Sequence, residues 1–584
     1  MTAADAADVF EKIAILMELK GENPFKTRAY RAGAEIVESY AGDIMKLAAE
    51  NQLAGIKGIG EALRDKLHEL ATTGKLAFFD NLKAEFPDGI FELFNIQGLG
   101  PKGVKQLHEE LGVGSIADLK RAIESGAAAQ LAGFGEKKAA KILEGIAFRD
   151  EHASEFRLDQ VMPVVETVLE ALRAHPAVTR AEICGSYRRG KEVVHDLDFL
   201  VATKKPEEVI EDFVKLPFVV SVIAKGGTKA SVRAAHGLQC DLRAVASKEF
   251  AFALNYFTGS KEHNVAVRHR AQTMGWTLNE YALSPEEGKT SKPVPPIHDE
   301  ADLYRALGLD WPEPELRENT GEIEAAERGA LPHLITLENL RGVFHNHTTA
   351  SDGKATLEEM AEAARELGMS YLGIADHSKS SFQANGLDAA RLRQQIKAIR
   401  KLNADYASEG EDFRLFAGSE VDILKDGALD FDDDLLAELD YVVASVHNLF
   451  TLSEAEQTKR IIRAIENPHV TMLGHVTGRL LCQRPGYAVN VADIIDAAAE
   501  TGTIIEINAS PWRLDMDWRW WKLAKEKGVR TSINPDAHSV HGLKDVVFGI
   551  RTARKGWLTK KDVINCLPLA EVEKVLKTKR TRAK

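Results

Sequence analysis

The 584-residue sequence predicts a multidomain protein with an all-α N-terminal region, an α+β middle followed by a small subdomain, and a C-terminal α/β barrel. Three observations carry this reading. A Gly-x-Gly turn followed by an amphipathic helical pattern recurs three times in residues 1–150. Short strands such as AEICGS, HDLDFLVAT and QCDLRAV replace it around 160–245. Beyond about 340, apolar strand-like cores alternate with helical stretches. At about 150 residues per domain, the length allows roughly three to five domains. With 44% hydrophobic and 28% charged residues the chain reads as soluble and globular, and no apolar run reaches the roughly 18 residues of a spanning helix. The N-terminus carries acids where a secretory signal needs a basic start, and Cys184, Cys240, Cys482 and Cys566 are far apart without a CxxC pair. A reduced, cytoplasmic protein without membrane contact is expected.

The repeated N-terminal unit appears as LAGIKGIGEALRDKLHEL (53–70), NIQGLGPKGVKQLHEEL (95–111) and LAGFGEKKAAKILEGI (131–146). A Gly-x-Gly turn lets the backbone N–H groups of a helix start approach a phosphate, and the helix dipole favours the anion. One copy fits a glycine C-cap equally well. Three copies, with Lys57, Lys102, Lys137 and Lys138 beside them, resemble helix-hairpin-helix clamps on a DNA backbone, which places Gly58, Gly60, Gly98, Gly100, Gly133 and Gly135 at the contact. Together with NPFKTRAYRAGAEIV (23–37), the first hairpin resembles the lyase domain of the DNA polymerase beta family. The resemblance makes Lys66 the Schiff-base lysine for an abasic-site sugar and puts Lys26 and Tyr30 in a phosphate pocket. The alternative for Lys66 is an ordinary surface-helix lysine.

In ICGSYRRGKEVVHDLDFLVAT (183–203), Asp196 and Asp198 stand two apart on an expected strand and therefore share a face; Asp241 in QCDLRAV can join them from a neighbour. Three convergent carboxylates need cations, and hard oxygens suit Mg²⁺ or Mn²⁺. Gly185, Ser186, Arg188 and Arg189 offer backbone donors and cations to a triphosphate. The stretch YFTGSKEHNVAVRHRAQTMGWTLNEYALS (256–284) is closely similar to the nucleotide-binding segment of family X DNA polymerases. By that resemblance Tyr256 and Phe257 floor the sugar pocket, Gly259 is a further nucleotide-binding position, Asn264 faces the incoming base and Arg268 contacts the template. One departure stands out: Val194-His195 precede the DxD where many relatives carry a small polar residue and Gly, which puts an imidazole near the triphosphate.

The C-terminal strand cores YLGIADH, YVVASVH, VTMLGHV, TIIEINAS and RTSINPDAH mostly end in polar or ionisable residues, the placement of chemistry at the C-terminal ends of barrel strands. His345, His347, His377, His447, His475 and His538, with Asp352, Glu420 and Asp536, match a multinuclear metal site. Mixed imidazole and carboxylate donors favour Zn²⁺, Mn²⁺ or Fe²⁺. This set resembles the polymerase-and-histidinol-phosphatase (PHP) domain, a metal-dependent phosphoesterase, and the resemblance makes all nine residues ligands of two or three ions. Asp376 is expected to support a ligand rather than to be one.

Taken together, the chain resembles bacterial family X DNA polymerases with a C-terminal PHP domain. The resemblance implies a lyase-like domain with helix-hairpin-helix over 1–85, a second helix-hairpin-helix subdomain over 86–152, a nucleotidyltransferase palm over 153–250, and a nucleotide-binding thumb over 251–312. A linker over 313–338, the PHP barrel over 339–576 and a basic tail over 577–584 complete it. The implied activity is filling of short gaps in gapped or nicked DNA from deoxynucleoside triphosphates, with 3′–5′ trimming by the PHP domain, in base excision repair at the nucleoid. Abasic endonuclease, 3′-phosphatase and deoxyribose-phosphate lyase activities extend the same resemblance. The alternative is an end-processing PHP nuclease with a weak or inactive palm. The formal charge of −13 argues against a nucleic-acid partner only as a whole-chain sum; residues 221–270 hold eight Lys and Arg against three Asp and Glu.

Overall fold

The computed structural model describes residues 3–40, 43–56, 58–94, 96, 99–288 and 293–582. The chain divides into two compact units, one of residues 1–153 with 482–484, the other of 154–481 with 485–584.

Among its described residues the first unit is helical, around one apolar core that includes Phe10, Leu67, Ile90, Leu107 and Ile142. Helices Glu61–Thr73, Pro101–Leu111 and Glu136–Glu151 all start at a glycine N-cap, Gly60, Gly100 and Gly135, with no side-chain cap. Their first-turn N–H groups are thus left without a side-chain acceptor. Gly58 (φ 89°) packs where a Cβ would meet Ile36 Cδ1 at 2.3 Å, so this turn requires glycine. Gly98 and Lys57 lie outside the described residues.

The second unit begins with a five-stranded mixed sheet in the order Val178–Ile183, Asp196–Thr203, Gln239–Val245, Lys229–Arg233, Ser221–Lys225. Asp196–Thr203 runs parallel to Gln239–Val245 and antiparallel to Val178–Ile183. Strand alternation buries Leu197, Phe199 and Val201 against helices Leu158–Ala174 and Pro206–Phe213. Helix Phe250–Thr258 covers the other face through Phe250, Ala253 and Leu254. A small core of Val267, Trp276, Leu303, Tyr304 and Leu307 follows.

The barrel is all-parallel. One sheet orders Gly342–Asn346, Tyr371–Ile374 and Arg414–Ala417; the other orders Glu420–Asp422, Val443–Ser445, Met472–Leu473, Ile504–Asn508 and Thr531–Asn534. Single parallel bridges, His377 to Glu420 and Asn346 to Ala537, join the two sheets into a ring. Both seams consist of candidate ligands or their neighbours: Asn346, His377 and Ala537 at or just past strand C-terminal ends, and Glu420 at the start of its strand. Helices such as Leu357–Glu366 and Glu454–Glu466 begin with Thr356/Glu359 and Ser453/Glu456 capping boxes.

Two expected boundaries change. Segment 313–338, expected as a linker, is packed. Arg317 is wholly buried, donating to Glu300 at 2.6 Å, and Glu300 also takes Arg188 at 2.7 Å. Glu315 receives Arg554 at 2.7 Å, and Glu318 receives both Arg189 (3.0 Å) and Lys555 (2.6 Å). Ile335 lies in the barrel core. The acids that suggested a solvated connector are counter-ions of buried cations from distant segments. The basic tail, expected from 577, continues the helix Leu569–Arg582, which buries Val572 and Leu576; residues 583–584 lie outside the described residues.

The Glu300 cluster yields a stability prediction. Burial alone would raise the Glu300 carboxyl, but Arg317 and Arg188 outweigh it and bring it down to about 2 from 4.5. Glu300→Ala leaves the wholly buried Arg317 and the partly buried Arg188 without their shared counter-ion and is expected to destabilise the second unit by about 3–5 kcal/mol, read from urea unfolding. A folded value below the unfolded one makes the contribution complete above pH 4.5 and progressively lost as pH falls from 4.5 toward 2. Glu300→Gln protein should lack that loss; an unchanged acid profile would refute the assignment.

Candidate active sites

The first candidate site lies on the mixed sheet. Asp196 and Asp198 flank buried Leu197 and so share one face, and Asp198 pairs in register with Asp241 on the parallel strand. Lys229, from the next strand, lies 2.9 Å from Asp241, and Gln239 Nε2 donates to it at 2.9 Å. Burial, reinforced by Asp196 and Asp241, pushes the Asp198 carboxyl up to about 7; burial and Asp241 also raise Asp196. Lys229 offsets only part of this negative charge on hard oxygen donors, the environment a divalent cation fits. Gly185 (φ 61°) presses its backbone on this group: a Cβ there would meet Asp198 Oδ2 at 2.4 Å.

Around it, Tyr256 and Phe257 stack edge to face at 5.2 Å, and the Arg243 guanidinium lies 4.8 Å from the Phe257 ring. Asn264 Nδ2 donates to the Tyr256 carbonyl at 2.7 Å, while its buried Oδ1 has no hydrogen-bond partner; Arg268 Nε donates to the Asn264 carbonyl at 3.3 Å. Arg189 is committed to Glu318 and to the Thr258 carbonyl, with one guanidinium nitrogen 3.0 Å from where a Cβ on Gly259 would stand. Arg188 is committed to Glu300 and Thr258, so its expected triphosphate role is replaced by a buried ion pair. Ser186 sits in the short helix Gly185–Arg188. The His195 imidazole is exposed, 3.2 Å from the Ser154 carbonyl and 3.8 Å from Glu155.

The second candidate site is the C-terminal mouth of the barrel, a 410 Å³ cavity. All nine expected ligands converge on it. Their donor atoms form four overlapping sets within 4.8 Å: His347, Asp352, His377 and His538; His345, His347 and Asp536; His345, Glu420 and His475; His377, Glu420 and His447. Glu420 is the hub, 2.8 Å from His377 Nδ1, 2.9 Å from His475 Nε2 and 3.2 Å from His345 Nε2 and His447 Nε2. Buried His345 Nε2, His377 Nδ1 and Glu420 Oε2 nevertheless lack any hydrogen-bond partner. Although His475 Nε2 pairs with Glu420 Oε1 and His347 Nε2 with Asp536, these crowded donor atoms left unpartnered fit a shared metal. Burial would lower His345, but Glu506, Glu420 and Asp536 outweigh it and hold the ring well above its ordinary range. Likewise Glu420 is held well below its range because His447, His345 and His377 outweigh burial. His345 and Asp536 take left-handed backbone (φ 57° and 54°), costing of order 1 kcal/mol each.

In the first unit, the Lys66 ammonium donates to its own helix at Ala62 (3.3 Å) and lies 4.9 and 5.9 Å from the Phe78 and Tyr30 rings. Lys26, Tyr30 and Phe78 line an adjoining 450 Å³ groove.

Family models match residues 253–318 as DNA polymerase beta thumb, 344–510 as PHP domain, 1–76 as helix-hairpin-helix domain and 90–147 as SAM-like helix-hairpin-helix tandem. The chain is 38% identical over 579 residues to the DNA polymerase/3′-5′ exonuclease PolX of Bacillus subtilis (strain 168), covering 99% of this chain and all of that protein. The chain belongs to the PolX family of PHP-containing family X DNA polymerases. It is also 28% identical over 253 residues to a probable phosphatase of Thermoanaerobacter sp. (strain X514), covering 41% of this chain and 95% of the relative. DNA polymerase lambda of Rattus norvegicus is 25% identical over 340 residues, 53% of this chain and 56% of the relative.

Several residues of this PolX-family chain escaped the sequence reading. Glu506 pairs with His345 Nδ1 at 2.6 Å and receives Asn534 at 2.8 Å; Asp422 pairs with His447 Nδ1 at 2.5 Å. Both orient the far side of a candidate ligand. Asp376, expected to support a ligand, accepts from Thr348, Ser351 and Gln395, none of which is a candidate ligand. Arg513 lines the cavity 3.7 Å from Asp536, on a turn in which the Arg513 and Leu514 N–H groups donate to the Ser510 carbonyl. The i, i+2 spacing of Asp422 from Glu420 and the acid in the middle of the apolar strand IIEIN were the available signals. Lys229 and Arg513 carried none.

Proposed function

We propose that the chain is a DNA-repair enzyme with two chemistries at one DNA end. The palm fills short gaps in gapped or nicked DNA from deoxynucleoside triphosphates, and the PHP domain trims the 3′ end in the 3′–5′ direction, in base excision repair in the nucleoid-associated cytoplasm. The observation that carries this is a pair of separate carboxylate centres in one compact unit: Asp196, Asp198 and Asp241 on the sheet, and the nine-residue cluster at the barrel mouth. Metal dependence belongs to both families; the ions assigned are Mg²⁺ or Mn²⁺ in the palm and two or three Mn²⁺, Zn²⁺ or Fe²⁺ in the barrel.

On this reading Asp196, Asp198 and Asp241 hold the palm ions, and Lys229 offsets part of their charge. Tyr256 and Phe257 wall the nucleotide, and Asn264 Oδ1, buried without a partner, is free to accept from a base or bound water. Arg268 faces the template, and Gly185, Ser186, Arg189 and Gly259 frame the triphosphate. In the barrel, His345, His347, Asp352, His377, Glu420, His447, His475, Asp536 and His538 are the ligands, and Arg513 receives substrate phosphate. Bound divalent ions would supply Lewis acidity and a hydroxide nucleophile at phosphorus. The uncapped helix starts at Gly60, Gly100 and Gly135 grip the DNA backbone independently of sequence, so affinity falls steeply with salt. Lys66 is assigned as the lyase nucleophile beside the Lys26–Tyr30 groove.

The test is labelled gapped DNA with and without deoxynucleotides. Extension should disappear only in Asp198→Ala protein and trimming only in His345→Ala protein. Loss of both activities in both variants overturns the two-site assignment. Trimming by wild-type protein, with no extension by either wild-type or His345→Ala protein, would establish the alternative, an end-processing nuclease with a silent palm.

A further inference from the structure

The loop between His377 and Leu387 holds a group that hydrolysis at the cavity floor does not use. Phe382 lines the cavity, yet its side chain is 78% exposed. The loop is firmly anchored. The Ser380 N–H and hydroxyl each donate to buried Asp430 at 2.6 Å, and the Ser381 hydroxyl donates to buried Asp422 at 2.9 Å. Asn385 Nδ2 donates to the Ser351 carbonyl at 3.0 Å, and Gly386 packs where a Cβ would stand 1.9 Å from the Ser378 carbonyl oxygen. Buried carboxylates thus hold a tight turn, Phe382–Ala384, that presents a phenyl ring to water.

An isolated exposed apolar side chain is ordinary on a protein surface. This one has company around the same mouth. Leu449, 42% exposed and in left-handed backbone (φ 58°), follows the cavity residue Asn448; Trp512, 41% exposed, precedes the cavity residue Arg513. The Arg157 guanidinium covers one face of the Trp512 indole at 3.3 Å. The floor offers donors and charge for phosphate, and the rim offers π and aliphatic surface. An oligonucleotide end has both parts; a small alkyl phosphate has only one.

We propose that Phe382 is the platform on which the 3′-terminal nucleobase of single-stranded DNA stacks while its phosphodiester reaches the carboxylate–imidazole floor, with Leu449 and Trp512 as flanking contacts. The inference rests on the phosphoesterase reading of the cavity. Stacking of this kind tolerates any base, because every base has a π face, and it requires the end to be unpaired. The rim therefore selects frayed or mismatched 3′ ends over paired ones and nucleobase-bearing diesters over simple ones.

Full-length, Mn²⁺-loaded protein tests this with two substrates, a single-stranded oligonucleotide carrying 2-aminopurine at its 3′ end and bis(p-nitrophenyl) phosphate. Phe382→Ala should lose about tenfold or more in kcat/KM on the oligonucleotide relative to the simple diester, and should lose the early 2-aminopurine quench on rapid mixing. Phe382→Trp should restore both. An unchanged ratio, or a quench that persists in Phe382→Ala, overturns the proposal. His345→Ala separates the two levels: if it still trims DNA, the phosphoesterase reading fails. If it is inactive on both substrates while Phe382→Ala trims like wild type, only the stacking platform fails.

Discussion

Glu420→Gln protein is expected to lose about 10³-fold or more in 3′-end trimming and most of its barrel-bound metal, while still extending primers. Glu420 lies within 3.2 Å of ring nitrogens on His345, His377, His447 and His475 and belongs to two of the four overlapping donor sets. The amide keeps the shape but removes the charge and aims N–H groups at neighbours that need an acceptor. A metal typically contributes several kcal/mol of transition-state stabilisation, and each 1.36 kcal/mol is tenfold in rate, so about 10³ is a conservative loss. Elemental analysis and trimming assays on the same preparation check it. Full trimming with undiminished metal content would show that the cavity is not the hydrolytic site.

Gly185→Ala should reduce gap filling by about 10²-fold, the cost of a roughly 1 Å displacement in a reacting site, with trimming intact. Its methyl group would arrive 2.4 Å from Asp198 Oδ2 and 3.3 Å from its Cγ, at a backbone angle (φ 61°) that already disfavours any side chain. Asp198 cannot retreat easily, because its own carbonyl accepts from Cys184 N–H at 2.7 Å and its strand lies mid-sheet. Steady-state extension on one-nucleotide gaps measures the effect. Near-normal extension would mean that the Asp198 carboxylate is not held against this turn during catalysis.

The parts of this architecture written in local periodicity were legible before any coordinates. The i, i+2 carboxylates of the DxD, the three Gly-x-Gly turns and the strand-terminal histidines each follow from one repeat length, 2 or 3.6 residues. The histidines at or past the strand ends meet at one mouth because parallel strands end on the same side, and Asp352 from a turn and Glu420 from the start of its strand join them. What local pattern did not reveal was pairing at a distance. Arg188 read as a triphosphate cation until Glu300, 112 residues away, claimed it. Segment 313–338 read as a connector because its acids looked solvated, when Glu315 and Glu318 face Arg554 and Lys555 more than 230 residues on. Charge composition reports how many ions a segment has, not whether they are compensated.

That buried ionic lattice also bears on how the protein can be divided. Segment 313–338 is the natural place to cut between polymerase and phosphoesterase, by protease or by gene design. Yet Glu315 and Glu318 on one side of any cut after residue 318 meet Arg554 and Lys555 on the other, with Lys555 fully buried. Separated halves would each carry stranded charges on a newly wetted face. The two activities are therefore inherited as a single cooperative body, and a lesion in the barrel helix Val546–Lys555 should be felt in the palm as readily as in the barrel itself.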